Sequence, residues 1–219
     1  KIPDLFKSCL DTYFRVKSFG SNITSSASIT VTQENCKNIE NIFNYMFYDC
    51  KIDSIKGILV RDEGVYKTPE KERKKIFEAY TWLVDKITEF TEKGLMKNHN
   101  KDSLQGKLHN AKDKISYGLV KKMYLEPHYI SPCHAGSLFG VITASGLVYP
   151  CEILDDKLLG DLRKNNMNFK EIWENKESIE AKKFIKKSKC NCTYECALTY
   201  NVLGNWRYQP QLIKSVLKS

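Results

Sequence analysis

Two short groups of cysteines in the last third of the chain constrain its fold more than any other feature. Five of the eight cysteines lie there: Cys133, Cys151, and then the run Cys190-Asn191-Cys192-Thr193-Tyr194-Glu195-Cys196. Seventeen residues separate Cys133 from Cys151, and four separate Gly146 from Cys151. Between the first two thiols, Leu138–Ala144 and Leu147–Tyr149 flank a Ser145-Gly146 turn, the pattern of a β-hairpin. A hairpin with one thiol before it and another at its end can bring both to one place. More thiols from a late Cys-x-Cys-x-x-x-Cys loop would complete a four-sulfur cage, of the kind that holds an iron–sulfur cluster or a structural zinc.

The remaining sequence is compatible with an ordinary globular protein. Its 219 residues are 42% hydrophobic and 28% charged, enough for one large or two small domains. No run reaches the roughly 18 consecutive apolar residues that a bilayer span requires. Lys1-Ile2-Pro3-Asp4 does not open a signal peptide. A secreted disulfide protein is therefore not expected. The thiols should be reduced, metal-bound or buried, in a cytoplasmic protein without a membrane partner. The net charge of +9 admits an anionic partner. Yet the basic runs at 71–75 and 182–189 have acidic or apolar neighbours at helical spacing and read as solvated helix faces, so nucleic acid is not the expected partner.

In chain order, residues 2–18 set Leu5, Phe6, Cys9, Leu10, Tyr13 and Phe14 on one stripe of an amphipathic helix. Ser28–Thr32 reads as a strand, and Asn35 as the N-cap of a helix carrying Ile39, Ile42, Phe43, Met46 and Phe47. Asp53–Val60 is a second strand, delivering Arg61-Asp62-Glu63-Gly64 at its end. Thr68 as cap and Pro69 in the first turn open a helix that runs to Gly94, and a more polar helix covers about 101–124. Strands alternating with helices argue for a parallel sheet. Two strands alone make a poor one, and the start inside an amphipathic helix without an initiator Met fits a fragment. Beyond a boundary near 127–132 come the hairpin, a short helix at Phe169–Trp173, a Lys-rich helix over 177–188 and a terminal helix over 206–219.

Several of these residues match a known pattern. Cys133-x-Ala135-Gly136, Gly146-x-x-x-x-Cys151, Gly160-Asp161-Leu162, Glu171-Ile172-Trp173 and Cys190-x-Cys192-Thr193-x-x-Cys196 resemble the SPASM/twitch domain of radical S-adenosylmethionine (radical SAM) enzymes. Ile29–Thr32 with Asn35, and Asp53 to Arg61, resemble late strands of that family's partial (β/α)6 barrel. The resemblance implies an α/β fold: the C-terminal portion of the barrel over 1–126, then a SPASM/twitch domain with its β-hairpin over 127–219. It also implies one auxiliary [4Fe–4S] cluster as in the shorter twitch version, with Cys133, Cys151, Cys190, Cys192 and Cys196 as metal candidates. Five thiols compete for four irons, and Cys190 or Cys192 is the candidate spare. Arg61 stands where barrel enzymes bind ligands, so it is a candidate contact for the S-adenosylmethionine carboxylate or an anionic substrate, with a surface ion pair as the alternative. Asn35 is either a cofactor contact or simply a helix cap.

Two departures limit the carry-over. The family's Cys-x-x-x-Cys-x-x-Cys motif, which holds the S-adenosylmethionine-cleaving cluster, is absent, and Cys9, Cys36 and Cys50 are too widely spaced to replace it. Arg61-Asp62 stands where related sequences often show Arg-Gly. The implied protein is thus the C-terminal fragment of an oxidoreductase-type radical SAM enzyme acting on a small molecule or peptide. S-adenosylmethionine and a second [4Fe–4S] cluster belong to the intact parent, and this chain alone is expected to be inactive. The competing reading is a non-catalytic cysteine–zinc module that binds nucleic acid or a protein, although the Cys-x-x-Cys knuckles usual in zinc ribbons are missing. A third reading is a degenerate homologue that binds a partner through an exposed sheet edge. Cys9, Cys36, Cys50, Phe169 and Trp173 read as core, and His134 as either structural or a hydrogen-bonding neighbour of the metal site. No nucleophile–base set, phosphate loop or catalytic carboxylate pair is present.

Overall fold

Residues 4–20, 23–61, 68–97 and 102–218 are described by the structure, a computed structural model. They divide into two units, residues 1–114 with 215–219, and residues 115–214. Helix and strand are mixed in both, as an α/β chain requires.

In the first unit, α1 (Leu5–Lys17) precedes β1 (Ser26–Val31). A 3-10 turn, Cys36–Asn38, leads into α2 (Ile39–Asn44), which continues as a π-helical turn over Tyr45–Asp49. Then come β2 (Ser54–Leu59), α3 (Glu70–Glu92) and the start of α4 (Leu104–Leu125). β1 and β2 pair in parallel, from Ser26 opposite Ser54 to Val31 opposite Leu59. A parallel pair needs a long crossover, which α2 supplies. Ile29 and Val31 of β1, and Ile55 and Leu59 of β2, turn into a core with Phe43, Ile76, Tyr80 and Leu83. α3 packs against β2 where Gly57 leaves room: a Cβ there would lie 2.8 Å from Val84 Cγ1 and 3.3 Å from Leu83 Cδ2.

Asp53 pins this unit just before β2. Its buried carboxylate meets Lys17 Nζ at 2.6 Å and Lys97 Nζ at 2.7 Å, and accepts from the amide and hydroxyl of Ser25, each at 2.8 Å. Burial pushes its pKa up, but the two ammonium groups and Ser25 outweigh this and hold it well below the usual carboxylate range.

Several details differ from the sequence reading. No residue of α1 is buried, and Cys9 is exposed, so the apolar stripe of α1 is not a core face here. Cys36 and Cys50 are buried, as expected of small core residues. Asn35 does not cap with its side chain. Its Oδ1 accepts from the Thr32 amide and its Nδ2 donates to the Thr30 carbonyl, both at 2.8 Å, tying off the end of β1 instead. Pro69, not Thr68, occupies the cap position of α3. Asp62, Glu63 and Gly64 lie outside the described residues.

The second unit takes the end of α4, then β3 (Val141–Ile142), β4 (Leu147–Tyr149) and β5 (Gly160–Asp161). These form an antiparallel sheet in the order β3-β4-β5. The expected hairpin is present, with shorter strands than the pattern suggested. Gly146 turns it at φ +91°, a conformation that glycine adopts without penalty. Arg163 braces the turn through the carbonyls of Ser145 and Ala144, at 2.8 and 3.1 Å. The third strand, β5, extends the expected hairpin.

After the sheet come α5 (Phe169–Glu174), α6 (Lys176–Lys187), α7 (Glu195–Gly204), a 3-10 turn at Trp206–Tyr208 and α8 (Gln209–Lys218). Val148, Leu159, Leu162, Ile172 and Ala181 form one apolar group, with Trp173 packed on it. Phe169, expected in the core, is 40% exposed; its ring stacks on Trp173 at 5.2 Å. No helix among the described residues is long and apolar enough to cross a membrane.

Candidate metal centre

The chain brings its first two thiols together by folding residues 133–139 back on the end of β4. The Gly136 amide donates to the Phe139 carbonyl at 2.9 Å and to the Pro150 carbonyl at 3.2 Å, so the loop after Cys133 lies beside the strand that delivers Cys151. Cys190 arrives from the other side. α6 buries Ser178, Ala181 and Ile185 on one stripe, then ends with Lys189 at φ +50° and the Cys190 amide donating to the Ile185 carbonyl at 3.2 Å. One residue of α6 therefore both packs on the site and fixes a ligand candidate. Cys151 is buried with Ala135 and Ile185, and Cys133, Cys190, Phe139, Ile153, Leu154 and Tyr194 pack against them.

The other two thiols are placed differently. Cys192 lines a small cavity with Cys133, Cys190 and Asn201. Cys196 is exposed on the first turn of α7, where the sequence suggested a loop; it and Glu152 act on the nearby Tyr194 hydroxyl. Burial first, and then those two groups, push the Tyr194 phenol up. Cys133 and Cys190 pack against the same apolar group and line the same cavity. The Cys190 thiol, against the opposing effect of burial, holds Cys133 down to about 6, and the Ala135 amide and Asn201 add to the lowering. Cys190 is pushed up by the neighbouring Cys133, by burial and by the charge of Cys192 and Cys151. A thiolate on Cys133 near neutral pH is the species a soft metal binds.

Among the described residues, no three His, Cys, Asp or Glu side chains converge closely enough to grip one metal ion. A tetrahedral zinc with bonds of about 2.3 Å needs its sulfurs roughly 3.8 Å apart. A cubane puts each ligand sulfur on a different iron and so accepts a wider ring. An all-thiol donor set packed among apolar side chains fits such a cluster.

The sequence reading passed over one contributor. Asn201, on α7 and only 5% exposed, accepts from the His134 amide at 2.7 Å and lines the same small cavity as Cys133. His134 Nε2 is buried without a hydrogen-bond partner. Arg61 and Asn35 belong to the first unit, just past the C-terminal ends of β2 and β1, on the edge where parallel sheets bind ligands.

Residues 133–197 match the SPASM family, described as an iron–sulfur cluster-binding domain. The match bears out the resemblance read from the cysteine spacing and spans all five thiols of the region. No curated protein and no solved structure matches the chain.

Proposed function

We propose that the SPASM region of this chain holds one auxiliary [4Fe–4S] cluster beside the substrate cavity of a radical SAM enzyme of the oxidoreductase type. Cys133, Cys151 and Cys190 are the first three ligands, with Cys192 and Cys196 competing for the fourth iron. The observation that carries this reading is the gathering of those three sulfurs around Ala135 and Ile185, within residues matched to a cluster-binding domain. When bound, the cluster supplies a one-electron store whose potential depends on burial and on hydrogen bonds to its sulfurs. Phe139, Ile153 and Leu154 keep water from the sulfurs, and Cys133 offers a thiolate.

The parallel β1–β2 pair with its α2 crossover supports reading the first unit as late segments of a partial barrel. At the C-terminal edge of that pair, Arg61 would hold the carboxylate of S-adenosylmethionine or of a small-molecule or peptide substrate. Asn35, with one amide hydrogen and one lone pair left after its bonds to Thr30 and Thr32, could add a polar contact. The S-adenosylmethionine-cleaving cluster needs a Cys-x-x-x-Cys-x-x-Cys segment that these 219 residues lack, so the chain by itself generates no radical. Eight free thiols fit a reducing cytoplasm.

Anaerobic reconstitution followed by iron, sulfide and zinc quantification tests the reading. About four irons and four sulfides per chain are expected, lost in Cys133→Ala and Cys151→Ala. Whichever of Cys192→Ala and Cys196→Ala loses the cluster identifies the fourth ligand. Zinc without sulfide overturns the reading in favour of a zinc module.

A further inference from the structure

We propose that the outer face of α6 is a docking surface for a small acidic protein that carries single electrons to or from this centre. The proposal rests on the cluster reading above, because a one-electron store has to fill or empty through some outside carrier.

The two faces of α6 differ sharply. Ser178, Ala181 and Ile185 are buried, and Ile185 packs with Ala135 and Cys151 before the chain reaches Cys190. On the opposite side Lys183 and Lys187 are exposed, four residues apart, with Lys186 exposed beside them. Residues 181–194 hold five lysines and no acid. One turn earlier Lys176 pairs with Glu180 at 3.8 Å, but among the described residues no carboxylate pairs with Lys183, Lys186 or Lys187.

A solvated helix end accounts for only part of this. Cations are favoured near a helix C-terminus, which explains Lys186 and Lys187 in the last turn. It does not explain Lys183, or two like-charged pairs four residues apart, Lys182 with Lys186 and Lys183 with Lys187, which weaken a helix. Lys182 is turned inward, donating to the Trp173 carbonyl at 3.3 Å. Nor does a solvated face call for Phe184, which is 43% exposed next to Lys183. The ammonium of Lys157, itself paired with Asp156, holds that ring from one side at 4.6 Å. A fixed, half-exposed aromatic beside unpaired cations has the anatomy of an interface core with a charged rim, and this rim is complementary to an acidic partner. A second copy of the chain is a poor occupant, since it would bring the same lysines and a net charge of +9.

The place of the face names the partner's task. Only α6, about 10–12 Å across, lies between it and the thiols that Ile185 packs against. A carrier seated there meets the centre across one helix. One electron then passes between reduced carrier and oxidised centre, or back, with no bond made or broken and no proton moved.

The test uses the whole reconstituted chain. An acidic ferredoxin is the probe, a basic cytochrome c its opposite, and polyglutamate an acid without an electron centre. Calorimetry at low and high salt reads binding, and stopped-flow absorbance reads reduction. The expected result is ferredoxin binding at low salt that weakens about tenfold or more at high salt, weaker binding of polyglutamate and none of cytochrome c. Lys183→Glu with Lys187→Glu should slow reduction by ferredoxin about tenfold or more, with iron and sulfide content and reduction by dithionite unchanged. Phe184→Ser should weaken binding and keep its salt dependence. Ferredoxin binding that is absent at low salt, or untouched by the charge reversal, overturns the proposal and leaves the cluster reading standing. Polyglutamate bound as tightly as ferredoxin overturns it in favour of an acidic-peptide site. Zinc without sulfide in the unsubstituted chain overturns both.

Discussion

Asp53 and the site thiols differ in how they could be found. Cysteine spacing is written in the sequence, and the family pattern reads it directly. Asp53 and Asn201 are single polar residues whose meaning comes from partners brought in by the fold: Lys17 and Lys97 for one, a backbone amide 67 positions away for the other. Nothing local marks either. The Asp53 carboxylate has a folded pKa below its ordinary value of about 3.9, so its stabilisation is present above that pH and is lost as pH falls further. Urea unfolding of wild type should therefore show the first unit weakening below about pH 4. Asp53→Asn should flatten that slope and be less stable at pH 7. Asp53→Ala at pH 7 should cost about 2 kcal/mol, because the bonds from Lys17, Lys97 and the Ser25 amide and hydroxyl to one buried carboxylate are lost together; an unchanged unfolding midpoint would refute the pinning role.

Among the elements, those with a clean amphipathic period were legible: α3 and α6 appear where their apolar stripes lie. α7 was not, because its sequence is apolar nearly all round and supplies no period, while β5 is two residues long and shows no alternation. Asn35 illustrates a subtler miss. A residue type good at capping was instead used to close a strand, which only the backbone path reveals. At the junction of α5 and α6, Asn175 accepts from the Ser178 amide at 2.8 Å and donates to the Leu159 carbonyl at 2.8 Å. Asn175→Ala should cost roughly 1 kcal/mol for the cap and about 1 kcal/mol more for the lost tie to the sheet. Thermal melting followed by far-UV circular dichroism reads the change, and Asn175→Asp, which keeps only the cap, should recover about half. In the first unit, Gly57→Ala forces a methyl against Val84, a stiff buried side chain, and should cost about 1–3 kcal/mol. A neutral effect on chemical denaturation would mean α3 can step back from β2.

For the molecule as a whole, the α/β character was legible from the alternation of strands and helices in the first 125 residues. The division into units was not, since it falls inside α4, where composition gives no boundary. In the second unit the apolar groups around Val148 and around Cys151 are small, and the three-stranded sheet has very short strands. A bound cluster should therefore add a large share of its stability. Calorimetry of the loaded chain should show two transitions, of which chelation and sulfide loss lower only one. A loss of about 2 kcal/mol corresponds to roughly 8–16 °C for a unit of this size. A uniform shift of a single transition would mean the units unfold together.

The clasp between His134 and Asn201 also sets a clock during synthesis. At about 5–20 residues per second, the ribosome takes on the order of 3–13 s to make the 67 residues that separate its two halves. For that interval Cys133 is translated, and the helix whose Asn201 will hold the backbone beside it is not yet complete. Chains stopped before residue 201 should keep their thiols open to alkylation and hold little iron. Assembly of the centre therefore waits on α7, and a cell that starves it of iron or floods it with oxygen has several seconds in which to spoil it.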